Sequence, residues 1–197
     1  MDSYAYFPSM VYREEKPELV AQSLPVCLQA LDSIRQPDWT MIQSGCLRYV
    51  PELNVVRDYI LASSDYILKE QGYNLDDYEL YVSGLWAQEL INGAGTDVHV
   101  HANSQIAGFL FLEAPESGAF PVYHDSRKGK ELVDLMFTQG NEINSATNAI
   151  YFNNVVPGTV FFNNSWLHHR LQGGPSQLPT RCIHFIVSHK ERVCNTN

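Results

Sequence analysis

The sequence predicts a mainly β protein of the α+β class, a sandwich or barrel of about eight core strands with two N-terminal helices against one sheet. Three observations predict it. Apolar residues at helical spacing are confined to the stretch before Gly72, whereas alternation and turn dipeptides take over from Tyr78. Aromatic residues reach 12%, with 11 Tyr and 9 Phe, a richness that suits the wide inner faces of β domains. At 197 residues the chain suits one domain better than two, expected over 1–197 with a helical part at 15–72 and a β core at 78–190.

The elements follow in order. Residues 4–12 read as an entry strand before the polar stretch Arg13 to Lys16. Leu19, Leu24, Leu28, Leu31 and Ile34 make residues 17–34 helical, with a break or kink expected at Pro25. Residues 51–71 form a second helix: Pro51 suits a first turn, Leu53, Val56, Tyr59, Ile60, Ser63 and Ile67 form one stripe, and Gly72 is the stop. Strands are then expected at 78–90, 97–102, 106–113, 119–124, 149–155, 159–163, 167–171 and 181–190. The turn signals between them are Asn92-Gly93, Pro115 to Gly118, Pro157-Gly158 and Gly173-Gly174-Pro175. A short helix is expected at 130–137.

Composition excludes several roles. A net charge of −9, with 13 scattered Lys and Arg, argues against nucleic-acid or anionic-membrane binding. No apolar run approaches the ~20 residues of a membrane span, and the first ten residues lack the pattern of a signal peptide. Cys27, Cys46, Cys182 and Cys194 lie far apart without a CxxC, which suits reduced thiols in a cytoplasmic protein and excludes a Cys-built zinc site.

Chemistry concentrates in the second half, where all seven histidines lie between 99 and 189. In Asp97-Val98-His99-Val100-His101 strand alternation puts His99 and His101 on one face, with Cα atoms ~6.6 Å apart. Such a pair suits one metal ion, and equally a polar strand face. Asp97 is ~13 Å along the strand from His101, too far to share an ion, and is expected at the rim or as an acceptor for an imidazole N–H. His168 and His169 are adjacent after a Pro-Gly turn and an apolar strand, so one of them should point inward. Arg181 opens the apolar strand Cys182-Ile183-His184-Phe185-Ile186-Val187. It is expected either to pair with a protein carboxylate or to hold an acidic ligand bidentately.

The order His-x-His, distal His after Pro-Gly, then Arg resembles the double-stranded β-helix oxygenases that use Fe(II) and 2-oxoglutarate. It is most similar to a 2-oxoglutarate/Fe(II) oxygenase family whose motifs read H-x-H-x-x-S, S-G-x-x-Y, P-G-x-x-x-x-F-P-S-W-L-x-H and a final R. The matching residues are Trp86, His99 to Ser104, Ala107 to Phe111, Asp125 to Arg127, Pro157-Gly158 and Ser165 to His169, within about residues 80–187, and Tyr6 to Ser9 extend the match weakly to the N-terminus. The resemblance implies a jelly-roll, cupin-like double-stranded β-helix. It implies Fe(II) at His99, His101 and His169, with Arg181 on the distal carboxylate of the co-substrate 2-oxoglutarate. The activity implied is hydroxylation with oxidative decarboxylation of 2-oxoglutarate to succinate.

The sequence departs from the family pattern in places. His101 stands where related oxygenases carry a carboxylate, for which Asp125 is an alternative source, and Ile183 stands where many place a hydroxyl. A cupin-like three-His metalloprotein that does not use 2-oxoglutarate, and a non-catalytic jelly-roll binding module, are the competing expectations. The expected partner is a small-molecule or peptide substrate met by Trp86, Tyr123 and Tyr151, and exposed strand edges would permit a homodimer.

Overall fold

The computed structural model describes residues 8–127 and 147–192. It is an antiparallel two-sheet sandwich with two helices on one outer face. The six-stranded sheet runs in the order β1 (Val11–Glu15), β7 (Thr159–Asn164), β4 (Ile106–Glu113), β9 (Thr180–Glu191), β3 (Tyr78–Leu90) and β2 (Met41–Gln43). The three-stranded sheet runs β6 (Ala149–Tyr151), β5 (Phe120–His124), β8 (His169–Gln172).

Two apolar layers follow from strand alternation. Leu85, Ala87, Ile106, Leu110, Val160, Phe162, Ile183, Phe185 and Val187 face the helices α1 (Glu18–Asp32) and α2 (Asn54–Glu70). These meet Leu19, Cys27 and Leu31 from α1, and Val56, Ile60 and Ile67 from α2. The opposite faces carry Leu90, Phe109, Phe111, Phe161 and Cys182 toward Tyr123, Leu167 and Leu171. The functional chemistry sits in this second layer, between the sheets.

Pro25 lies inside α1 without ending it. The residue is solvent-exposed, as is Ala21. The carbonyl that loses its i+4 donor is therefore on the wet side of the helix, where water can replace the missing bond. α2 begins after a 3-10 turn, Pro51–Leu53, and is closed by Gly72 at φ 90°, the left-handed stop expected from sequence. Gly108 answers a different demand. A Cβ there would lie 2.1 Å from the Phe161 carbonyl oxygen and 2.4 Å from the Phe185 ring, so the centre of β4 packs only around glycine.

Several boundaries differ from expectation. Of the entry strand expected at 4–12, residues 4–7 lie outside the described residues; among the described ones β1 begins at Val11 and runs through the polar residues to Glu15 as an edge strand paired only with β7. β2 is a three-residue strand, too short to show alternation. Residues 97–102 do not form a regular strand: His99 makes a single bridge to His169. The bonds Thr96 N–H to Leu171 O, His99 N–H to His169 O and His101 N–H to Ser165 O step unevenly along the partner, since a turn interrupts it before β8. The strand expected at 149–155 ends at Tyr151. The expected 130–137 helix lies outside the described residues. Cys27, Cys46 and Cys182 are free thiols. No helix among the described residues is long and apolar enough to cross a membrane.

Candidate metal centre

His99 and His169 are locked together through the backbone. Each N–H donates to the other's carbonyl, at 3.0 and 3.1 Å, so two segments far apart in sequence place their imidazoles side by side. His101 is fixed by its N–H on the Ser165 carbonyl at 2.9 Å and by the Ser104 hydroxyl donating to the His101 carbonyl at 3.0 Å. The adjacent turn uses Asn103 at φ 57°. His184 comes from the middle of β9, where its cross-strand partners are Trp86 and Phe109.

One ligand-type atom from each of His99, His101, His169 and His184 lies within 4.8 Å of all the others. His169 and His184 are 0% and 1% exposed, whereas His99 and His101 are half-buried, so the cluster opens toward the 99–101 segment. The ring neighbours are Phe109, centred 4.6 Å from His184, and Tyr123, centred 6.1 Å from His169.

The protonation pattern suits metal binding. The Nδ1 of His99 is 2.8 Å from the Asp97 carbonyl and the Nδ1 of His169 is 2.8 Å from the Leu167 carbonyl. A carbonyl only accepts, so in both rings Nδ1 carries the proton and Nε2 presents its lone pair. Burial, reinforced by the charge His99 would add, holds His101 down to about 4. Burial likewise holds His169 at about 4, although its bond to the Leu167 carbonyl pulls upward. Burial drives His184 well below the ordinary histidine value, and the other three imidazoles add to the effect.

Neutral imidazoles are good ligands, and a buried polar atom without a partner calls for an explanation. The Nε2 atoms of His101, His169 and His184 are all buried without a hydrogen-bond partner. Two nitrogens each ~2.1 Å from one ion can be no more than ~4.2 Å apart. Neighbouring ligands on one ion lie closer, ~3.0–3.4 Å apart, so the widest separation of 4.8 Å would close by roughly 1.4–1.8 Å, or about 0.7–0.9 Å for each of two rings. The residues fit a metal ion.

The other candidates fall elsewhere. His168 turns away, with its Nδ1 3.1 Å from the Ser126 hydroxyl. The Asp125 carboxylate, the alternative ligand, is held by Arg127 at 2.7 Å, and the cluster contains no carboxylate among the described residues. Asp97 contributes its backbone carbonyl rather than its side chain to His99. Trp86 packs on His184 with centroids 4.8 Å apart, and Tyr123 is buried beside His169. Tyr151 is 56% exposed and does not line the interior.

Arg181 does not share the histidines' face. It lies three residues before His184, and its cross-strand partners are Glu89 on β3 and Glu113 on β4. Odd spacing along β9 and β3 sends Arg181 and Glu89 to the helix side, and an irregularity between Phe111 and Glu113 brings Glu113 into line with them. The Arg181 Nε donates to Glu89 Oε2 at 2.5 Å and its Nη1 pairs with Glu113. Arg35, at the end of the α1 segment, forks onto the same Glu89, with its Nη2 at 2.9 Å. Of the two expectations for Arg181, the pairing with protein carboxylates is the one this structure contains.

Sequence reasoning gave no role to His184. A histidine inside an apolar run, three residues from an arginine that could not face the same way, was the available signal.

No curated protein matches this chain. Among solved structures, the chain is similar to the non-heme α-ketoglutarate-dependent epimerase SnoN of nogalamycin biosynthesis. That match has a TM-score of 0.68 at 12% identity, over 93% of this chain and 81% of that one. It is also similar to an oxidoreductase of the 2OG-Fe(II) oxygenase family from Burkholderia pseudomallei, with TM-score 0.54 and 11% identity over 87% and 88% of the two chains. A prolyl-4-hydroxylase from Pseudomonas putida gives TM-score 0.54 and 11% identity over 93% and 94%. At these identities the likeness is one of fold, the double-stranded β-helix. The sequence itself matches the family described as "Putative 2OG-Fe(II) oxygenase" across residues 84–185, which begins on β3 and ends on β9 and so includes all four clustered histidines. This chain belongs to that family of enzymes, whose cofactors are Fe(II) and 2-oxoglutarate.

Proposed function

We propose that this protein is an Fe(II)- and 2-oxoglutarate-dependent oxygenase that hydroxylates a small molecule or peptide, with His99, His101 and His169 as its metal ligands. The observation that carries the reading is the convergence of these imidazoles, two of them with Nε2 lone pairs set by carbonyl-bound Nδ1 groups. In such a reaction the metal supplies dioxygen activation, and 2-oxoglutarate supplies two electrons on oxidation to succinate and carbon dioxide. The chain's own part is positional. The 99–169 backbone bridge sets ligand spacing. Phe109, Phe111, Phe161 and Tyr123 keep water from the buried side of the cluster.

The fit to 2-oxoglutarate is less complete than the fit to metal, because Arg181 is occupied by Glu89 and Glu113 on the far side of the sheet. That placement favours one second reading, a cupin-like three-His metalloprotein that does not use 2-oxoglutarate. Anaerobic titration separates the two. Fe(II) is added first, then 2-oxoglutarate, while a metal-to-ligand charge-transfer band is followed, and succinate is measured after air is admitted. A band with succinate formation supports the oxygenase. Fe(II) binding without a band supports the second reading, and no Fe(II) binding defeats both.

A further inference from the structure

We propose that His184 is a fourth protein ligand, so that the ion sits among four neutral imidazoles. The inference rests on the reading of His99, His101 and His169 as ligands and adds a residue to that set.

The case is geometric. β9 lies between β4 and β3, and strand parity turns His184 toward the smaller sheet, where His169 sits. Its ring centroid is 4.9 Å from that of His101 and 6.2 Å from those of His99 and His169. The ring is clamped by Phe109 at 4.6 Å with planes 34° apart, and by Trp86 at 4.8 Å. At 1% exposure its Nε2 reaches neither water nor a protein partner. A histidine kept only for packing would strand that nitrogen, and an apolar ring would fill the space without the penalty. Coordination uses the lone pair that the protein leaves unmatched.

The consequence is chemical. Four imidazoles carry no charge, so the ion keeps its full double positive charge and favours an anionic incoming ligand. A fourth protein ligand leaves the ion one outside position fewer than three histidines would, so this assignment favours the cupin-like reading without 2-oxoglutarate over the oxygenase.

The test uses full-length protein labelled with 15N-histidine, with Zn(II) as the probe. Ring nitrogen resonances are recorded without and with one equivalent of Zn(II), and affinity is measured by chelator competition for wild type, His184→Phe and His189→Phe. Four histidines should move in wild type and three in His184→Phe, with His168 and His189 unmoved as internal references. Zn(II) affinity should fall at least tenfold in His184→Phe and stay unchanged in His189→Phe, whose ring packs on Tyr78 instead. Movement of three histidines in wild type, with His184→Phe binding as tightly, overturns the proposal and leaves the three-His reading standing. Absence of Zn(II) binding in wild type removes that reading and this one together. If His184→Phe fails to fold, the wild-type count still decides.

Discussion

Glu89→Gln should destabilise the protein by roughly 2–3 kcal/mol and leave its metal affinity untouched. Glu89 is 4% exposed on its side chain and receives both Arg181 and Arg35. Removing one partner of a buried ion pair costs about 3–5 kcal/mol. Three features reduce that figure. The amide oxygen of glutamine still accepts one hydrogen bond, worth ~1 kcal/mol. Arg181 keeps Glu113. Arg35 is 36% exposed, so water screens its share to roughly the 0.2–1 kcal/mol of a surface pair. For a chain of this size the remainder corresponds to a melting point lower by about 4–12 °C.

The pH dependence gives the sign. Burial pushes the Glu89 carboxyl up, but the hydrogen bonds from Arg35 and Arg181 outweigh burial and leave it below its usual value. Stability from a depressed carboxyl is complete above the unfolded value, about 4.3, and is lost as pH falls through the folded one. The gap between wild type and E89Q should therefore be full at neutral pH and close below about pH 4. Urea unfolding of both proteins across pH 3–7, with Zn(II) affinity measured at neutral pH, checks this. A gap under about 0.5 kcal/mol at neutral pH, or one that persists unchanged at pH 3, would refute the argument.

Three further outcomes are expected. His169→Ala should weaken Zn(II) binding by more than about tenfold in chelator competition, since it removes a proposed ligand held by backbone on both sides. Arg181→Lys should leave Zn(II) affinity within error but lower the melting point, because an ammonium cannot fork between Glu89 and Glu113. Gly108→Ala should lower stability by at least about 3 kcal/mol, or prevent soluble expression, because the added methyl meets backbone that cannot yield.

The sequence made α2 readable because its apolar stripe faces one sheet and its outer face is polar, which leaves periodicity intact. It made the mainly β second half readable through turn dipeptides and alternation. β9 resisted for the opposite reason. Ile183 and Phe185 are buried under helices while Cys182 and His184 are buried between sheets, so alternation leaves no polar face to mark. Whether Arg181 or His184 looks inward was thus decided by register against β3 and β4, which local pattern does not carry. The 97–102 segment read as a strand because its residues alternate, yet its partner turns too soon to pair regularly. β2 offered three residues and no pattern at all.

The cluster also joins the two sheets: His169 belongs to β8 of the smaller sheet and His184 to β9 of the larger. An ion bound to both is a rivet through the sandwich. The sheets cannot separate around it without breaking a coordination bond, and the unfolded chain, with positions 99, 169 and 184 scattered, has nothing comparable to offer. At one hundred times its dissociation constant such an ion would hold the folded form by about 2.7 kcal/mol. Metal supply would then govern how readily β5, β6 and β8 peel away, so in a metal-poor setting the protein would lose lifetime together with its chemistry.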